Sequence, residues 1–188
     1  MTRAGTSPAW RVLWLPIAAM AAVITLSNVA VNFPINDWLT WGAFTYPVCF
    51  LVTDLTNRAL GAEPARRVVY AGFAVGVLCS IVAGLLGLTT VRIALASGAA
   101  FLVAQLLDIL IFDRLRRASW WKAPFLSSSL ASFVDTLLFF GLAFAFTGLP
   151  WVTWALGDYG VKLVMALALL LPFRALMPAT DPLAANSS

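Results

Sequence analysis

The chain has 188 residues, 62% hydrophobic and 11% charged, with 12 Lys and Arg, 8 Asp and Glu, and no histidine. Soluble domains carry about 25% charged residues, so a mean hydropathy of +0.93 excludes a water-solvated globule and makes lipid the solvent. The net charge of +4 then reads as the basic bias of cytoplasmic loops, and no nucleic-acid partner is implied.

At about 20 residues per crossing, the length accommodates roughly six helices in one membrane domain, residues 1–188. Residues 1–11 form a polar start with Arg3 and Arg11. The apolar run 14–31 follows basic residues as a signal peptide would, but it is too long and no A-x-A site ends it. It is expected to be a retained first span, with Thr25, Ser27 and Asn28 near its far end. A connection over 33–40 holds Asp37 and Trp38 and no Lys or Arg. The second helix is expected over 41–60, kinked at Pro47, with Asp54 one turn before Arg58. Residues 61–67 read as a polar link. The third helix, 68–86, carries Gly72 and Gly76, a spacing suited to close helix contact. A tight turn leads to a fourth helix, 91–112, then to the most basic stretch, Arg114 to Lys122, with Trp120 and Trp121 as interface anchors. The fifth and sixth helices are expected over 124–146 and 152–171, and a frayed polar tail after Arg174. With both termini in the cytoplasm, all bases except Arg92 and Lys162 lie on the cytoplasmic side, as the positive-inside rule requires.

Ionisable side chains inside a membrane are costly and mark functional sites. Asp54, Arg92, Asp108, Asp135, Asp158 and Lys162 lie within or at the ends of the expected helices. Asp158 and Lys162 are four apart and can pair within one helix; Asp54 and Arg58 share that spacing. Asp108 lies near basic residues at a helix end. Asp135 has no base three or four positions away. Gln105 and Asp108 share a helix face, as do Ser128, Ser132, Asp135 and Thr136. Cys49 and Cys79 fall in apolar runs and form no disulfide framework, and without histidine no zinc site is completed. No cofactor, metal or covalent chemistry is implied.

The run TWGAFTYPVCFLVTDL (residues 40–55) resembles the signature of the queuosine precursor transporters, also called the vitamin-uptake-transporter-like family. The similarity continues, in order, through TLSN at 25–28, ARR at 65–67, RIALAS at 92–97, QLLDILIFDRLR at 105–116, WWKAP at 120–124, VDTLLFF at 134–140 and DYGVK at 158–162. The resemblance implies a six-helix bacterial inner-membrane protein like the substrate-binding subunits of energy-coupling-factor transporters. It would import 7-deazaguanine precursors of queuosine, chiefly preQ0 (7-cyano-7-deazaguanine) and also preQ1. It leaves open whether the chain works alone, as a homo-oligomer or with a separate energising module. Such a substrate shows a ring N–H and an exocyclic amine side by side, which one carboxylate can accept together. Asp54, Asp108 and Asp135 are the acids available, with Thr45, Ser132 and Thr136 beside them. The carbonyl calls for a donor such as Asn28, Gln105 or Arg92, and the ring for aromatic faces such as Phe44, Tyr46, Phe139 and Phe140. Which acid takes the guanine edge stays open.

Overall fold

The computed structural model describes residues 10–36 and 39–180. Helix α1 spans Trp10–Ala30. A short antiparallel pair follows, β1 (Pro34–Asn36) against β2 (Leu39–Thr40). Then come α2 (Gly42–Thr45), α3 (Val48–Leu60), α4 (Ala62–Leu85), α5 (Val91–Leu115), α6 (Lys122–Phe144), α7 (Trp151–Ala168), α8 (Leu170–Leu176) and a closing 3-10 turn, Met177–Thr180. Of the expected features, Arg3, Asp37, Trp38 and the end of the tail, 181–188, lie outside the described residues.

Among the described residues, five helical segments are long and apolar enough to cross a membrane: Val12–Ala30, Ala62–Leu85, Val91–Leu115, Lys122–Phe144 and Trp151–Leu176. The expected single helix over 41–60 is instead two pieces. Pro47 supplies no N–H and its ring crowds the carbonyl four residues back. The hydrogen bonds beside it accordingly tighten to three-residue steps, Cys49 N–H to Tyr46 O at 3.0 Å and Phe50 N–H to Pro47 O at 3.1 Å. The 13 residues of α3 reach only about 20 Å at 1.5 Å per residue. The expected link 61–67 also differs, because α4 begins at Ala62. Pro64 falls in its first turn, where a missing N–H costs nothing. Gly61 alone joins α3 to α4, at φ +96°. Of the expected tail after Arg174, the described part, residues 175–180, forms the end of α8 and the 3-10 turn.

Helix α5 packs most extensively on α6 and also meets α4 and α3, while α1 lies along α4. The largest apolar cluster joins α1, α3, α4 and α5 through residues including Met20, Ile24, Cys49, Val68, Val69, Phe101 and Ile109. Gly72 makes the α1–α4 contact possible: a Cβ there would stand 2.6 Å from Met20 Cγ and 2.8 Å from Ile24 Cδ1. At one end of the bundle, Arg116 donates to the Asn57 carbonyl at 2.6 Å and Arg174 stacks over the Trp120 ring at 4.8 Å. The basic junctions α3–α4, α5–α6 and α8 therefore gather together. Arg92 stands with the α6–α7 connection, donating to Leu142 O and Ala145 O.

Candidate functional site

The interior between α3, α5, α6 and α7 is polar. Helix α6 presents Ser127, Ser128, Ser132, Asp135 and Thr136 inward, all buried, because steps of three and four residues keep them on one side of a helix. Helix α3 turns Thr53, Asp54 and Asn57 toward them, and α5 turns Gln105 and Asp108. All of these are at least nine-tenths removed from solvent.

Two acidic centres result. In the first, Asp54 Oδ1 and Oδ2 accept from Ser127 and Ser128 at 3.4 and 3.3 Å. Asp108, on α5, is fully buried, and neither of its carboxyl oxygens meets a hydrogen-bond partner. No Lys or Arg among the described residues forms an ion pair with either acid; Arg58, one turn from Asp54, does not reach it, and Asp108 makes no helix-end pair with the arginines. One turn before Asp108, Gln105 Oε1 accepts from Thr53 Oγ1 at 2.5 Å.

The second centre is built on Lys162. Its Nζ bridges Asp135 Oδ2 at 2.7 Å and Asp158 Oδ2 at 2.5 Å, and donates to Thr136 Oγ1 at 3.0 Å. Thr136 in turn donates to Asp158 at 2.7 Å. The Asp158–Lys162 pair is the one its spacing announces. The partner of Asp135 is not visible in the sequence, since it comes from the next helix. Tyr46 completes this centre: its hydroxyl donates to Asp135 Oδ1 at 2.9 Å, and the Lys162 ammonium lies 5.5 Å from the centre of its ring.

Two cavities adjoin these groups. A small one of about 10 Å³ is lined by Asp54, Ser128, Ser132, Lys162, Phe50 and Pro47, among others, and has room for about one water. It joins the two acidic centres. The larger, about 490 Å³, lies between α1, α4 and α5 and runs from Thr89 and Thr90 at the α4–α5 turn to Asn28, Phe73, Phe101 and Tyr46. Ligand sites occupy about 300–1,000 Å³. Tyr46 lines the larger cavity and belongs to the Lys162 centre, with Phe50 and Phe101 edge-on to its ring at 6.3 and 6.4 Å.

The expected site residues therefore divide. Tyr46, Asp54, Gln105, Asp108, Ser132, Asp135 and Thr136 converge on the polar interior, and Asn28 lines the larger cavity. Phe44 packs on Trp41, and the Thr45 hydroxyl donates to carbonyls of its own turn. Arg92 is exposed and caps the end of α6. Phe139 and Phe140 pack on each other and on Phe144. Lys162 as a bridge between helices and Ser127 as a partner of Asp54 were not expected from the sequence. The serine run 127–129 was the available signal for the latter.

A family model described as "Putative vitamin uptake transporter" matches residues 40–177, a stretch that contains every polar group of both centres. A protein of Escherichia coli (strain K12) named "Queuosine precursor transporter" is 37% identical, over 85% of this chain and 82% of its own length. A "Probable queuosine precursor transporter" of Haemophilus influenzae is 39% identical, over 79% of this chain and 72% of its own. One of Bacillus subtilis (strain 168) is 25% identical, over 82% and 78%. No solved structure matches the chain.

Proposed function

The chain belongs to the queuosine precursor transporter family, and on that footing we propose that it imports 7-deazaguanine precursors of queuosine, chiefly preQ0, across the bacterial inner membrane. It is a multi-pass membrane transporter and not an enzyme. In this reading α2 and α3 together supply a sixth, broken crossing, and both termini face the cytoplasm. Broken crossings are tolerated where they line a cavity, and the break at Pro47 borders one.

The observation that carries the proposal is Asp54. Among the described residues it is a buried carboxylate with no basic ion-pair partner; it accepts two long hydroxyl bonds and stands on the wall of a cavity that it shares with Ser132 and Lys162. Adjacent N–H donors of a guanine-like edge would replace those bonds with short, charge-assisted ones. The substrate enters the larger cavity from the non-cytoplasmic side, meets Asn28 and the aromatic wall of Phe73 and Phe101, and passes Tyr46 to reach Asp54. The small cavity, about 10 Å³, must widen to admit a purine-sized ring.

The test is binding by the purified protein, read as thermal stabilisation with preQ0, preQ1, queuine and guanine. The expected order places preQ0 first. Asp54→Asn offers one acceptor oxygen where two are needed. Loss of a charge-assisted hydrogen bond costs about 1.5–3 kcal/mol, which is roughly 10- to 150-fold in affinity. A monodisperse Asp54→Asn protein that binds preQ0 as tightly as the parent would remove Asp54 from the site and leave Asp135 as the leading acid.

A further inference from the structure

The larger cavity is made by side chains that are missing. On α4, Gly72, Gly76, Ser80 and Gly84 recur every fourth residue and so share one face. Across from them α5 presents Ala94, Ser97 and Gly98, and α1 presents Ile24, Ser27 and Asn28. Small residues in membrane helices ordinarily let backbones close on each other, and Gly72 does so against Met20 and Ile24. Further along the same face the helices stay apart. A Cβ at Gly76 would have only Ile24 Cγ2 within reach, at 3.8 Å, and one at Gly84 would meet nothing within 4 Å. The stripe therefore walls about 490 Å³ of open space, within the range of small-molecule sites.

One group on this wall lacks what its neighbours have. Ser27 is 6% exposed, and its hydroxyl has no hydrogen-bond partner among the described residues. Helical hydroxyls elsewhere in the chain donate back to the carbonyl four residues earlier, as Thr45, Thr53 and Thr56 do. A buried polar group left unpaired is costly. Beside it, Asn28 donates through Nδ2 to Ile24 O at 2.9 Å, which leaves its amide oxygen as an acceptor. Phe73 and Phe101 supply flat apolar surface to the same cavity. The Phe73 ring lies against α5 at Gly98, where a Cβ would stand 3.3 Å from its Cε2. None of the lining residues carries a charge.

A hydroxyl that can donate or accept, an amide oxygen that accepts and two aromatic rings suit an uncharged planar heterocycle with a guanine-like edge. A lipid chain would satisfy neither polar group. We propose that this cavity is a second, outer substrate site, in which Ser27 and Asn28 take the polar edge of the ring while Phe73 and Phe101 pack on its flat surface. The identity of the ligand rests on the transport reading above. The outer site fills without Asp54, whose own cavity, about 10 Å³, is too small for a ring. Hydrogen bonds to neutral groups are weaker than those to a carboxylate, so the substrate is held loosely here. It is held more tightly once Tyr46, which also lines the cavity and is bound through its hydroxyl to Asp135, gives way. Loading and inward passage are thereby separate steps.

The test is protection of a thiol. Ser80→Cys places one on the wall of the cavity, in a Cys79→Ser background, and Cys49 is buried. Ser97→Cys, on α5, gives a second reporter, so the result does not hang on one variant. preQ0 is expected to slow alkylation of the purified protein by N-ethylmaleimide, with the same half-effective concentration after Asp54→Asn is added. Ser27→Ala should raise that concentration by about two- to tenfold, the loss of one neutral hydrogen bond. Its melting temperature should equal the parent's or exceed it, because an unpaired buried hydroxyl is removed. A purely structural hydroxyl would give the reverse, a lower melting temperature with unchanged protection, and overturn the assignment. Thermal stabilisation by preQ0 without protection of either thiol, or protection that vanishes with Asp54→Asn, would overturn the outer site and leave the transport reading standing. Protection by added phospholipid and not by preQ0 would make the cavity a lipid groove and refute the proposal. Neither stabilisation nor protection by preQ0, preQ1, queuine or guanine would sink both readings.

Discussion

At the scale of the residue, Lys162 is the side chain on which the second acidic centre depends. One ammonium, 5% exposed, satisfies two carboxylates from different helices. Removing one partner of a buried pair costs about 3–5 kcal/mol because the other charge stays behind. Lys162→Met should therefore lower thermal stability in detergent by that order, and Lys162→Met with Asp135→Asn should recover most of it. Asp158→Asn should be mild, since Asp158 is the more exposed partner at 19% and Asp135 keeps Lys162. Equal losses for Lys162→Met and the double variant would show that the ion pair is not what holds α6 to α7. The sequence made half of this centre legible. Asp158 and Lys162 lie one helical turn apart, and that distance is fixed by helix geometry alone. Asp135 is 27 positions from Lys162, and their meeting depends on how α6 and α7 turn about each other, which no local pattern encodes. The same holds for Asp54, whose neighbour in the chain, Arg58, was a plausible partner by spacing and is not one in space.

At the scale of the element, close contacts and caps decide what can change. Gly72 sits where any side chain meets Met20 and Ile24 of α1. Overpacking costs about 1–3 kcal/mol, partly offset by the roughly 0.5–1 kcal/mol that replacing a helical glycine returns. Gly72→Leu should thus lower the melting temperature and yield, while Gly84→Leu, with nothing within 4 Å, should not. The glycine spacing that suggested a contact face was a sound signal, though it named no partner. Arg92 shows the converse. Its place in a family-like motif suggested the substrate, yet it donates to the terminal carbonyls of α6, Leu142 O at 2.8 Å and Ala145 O at 2.7 Å. Arg92→Gln should speed amide hydrogen exchange in the last turn of α6 and leave preQ0 affinity within twofold or so, given bonds worth about 1.5–3 kcal/mol to the cap. A tenfold loss of affinity would return Arg92 to the site. Helix existence was readable from apolar runs of spanning length. The break at Pro47 was readable only as a kink, because whether a proline bends or divides a helix depends on what packs around it.

At the scale of the whole molecule, the gathering of Arg58, Arg66, Arg67, Arg116 and Arg174 at one end of the bundle and Arg92 at the other is the asymmetry that sets orientation. Cysteines placed at Arg66 or Arg117 should resist an impermeant thiol reagent in intact cells, and one at Asn36 should react. A Cys79→Ser background removes the half-buried natural thiol, while Cys49 is buried. Labelling at Arg117 from outside would invert the orientation. The joint at Gly61 adds a mechanical consequence. A single residue between α3 and α4 pins those two helix ends together, so any motion of α3 against α4 is a swing about that point. Gly61 is the fulcrum and α3 is the lever arm, about 20 Å long for its 13 residues. A tilt of about 10° would move the Pro47 end by roughly 3 Å and Asp54, near the middle of the arm, by about half as much. Tyr46, carried at the far tip, travels furthest, so the ring that lines the larger cavity is swept aside while the acid nearer the joint moves less.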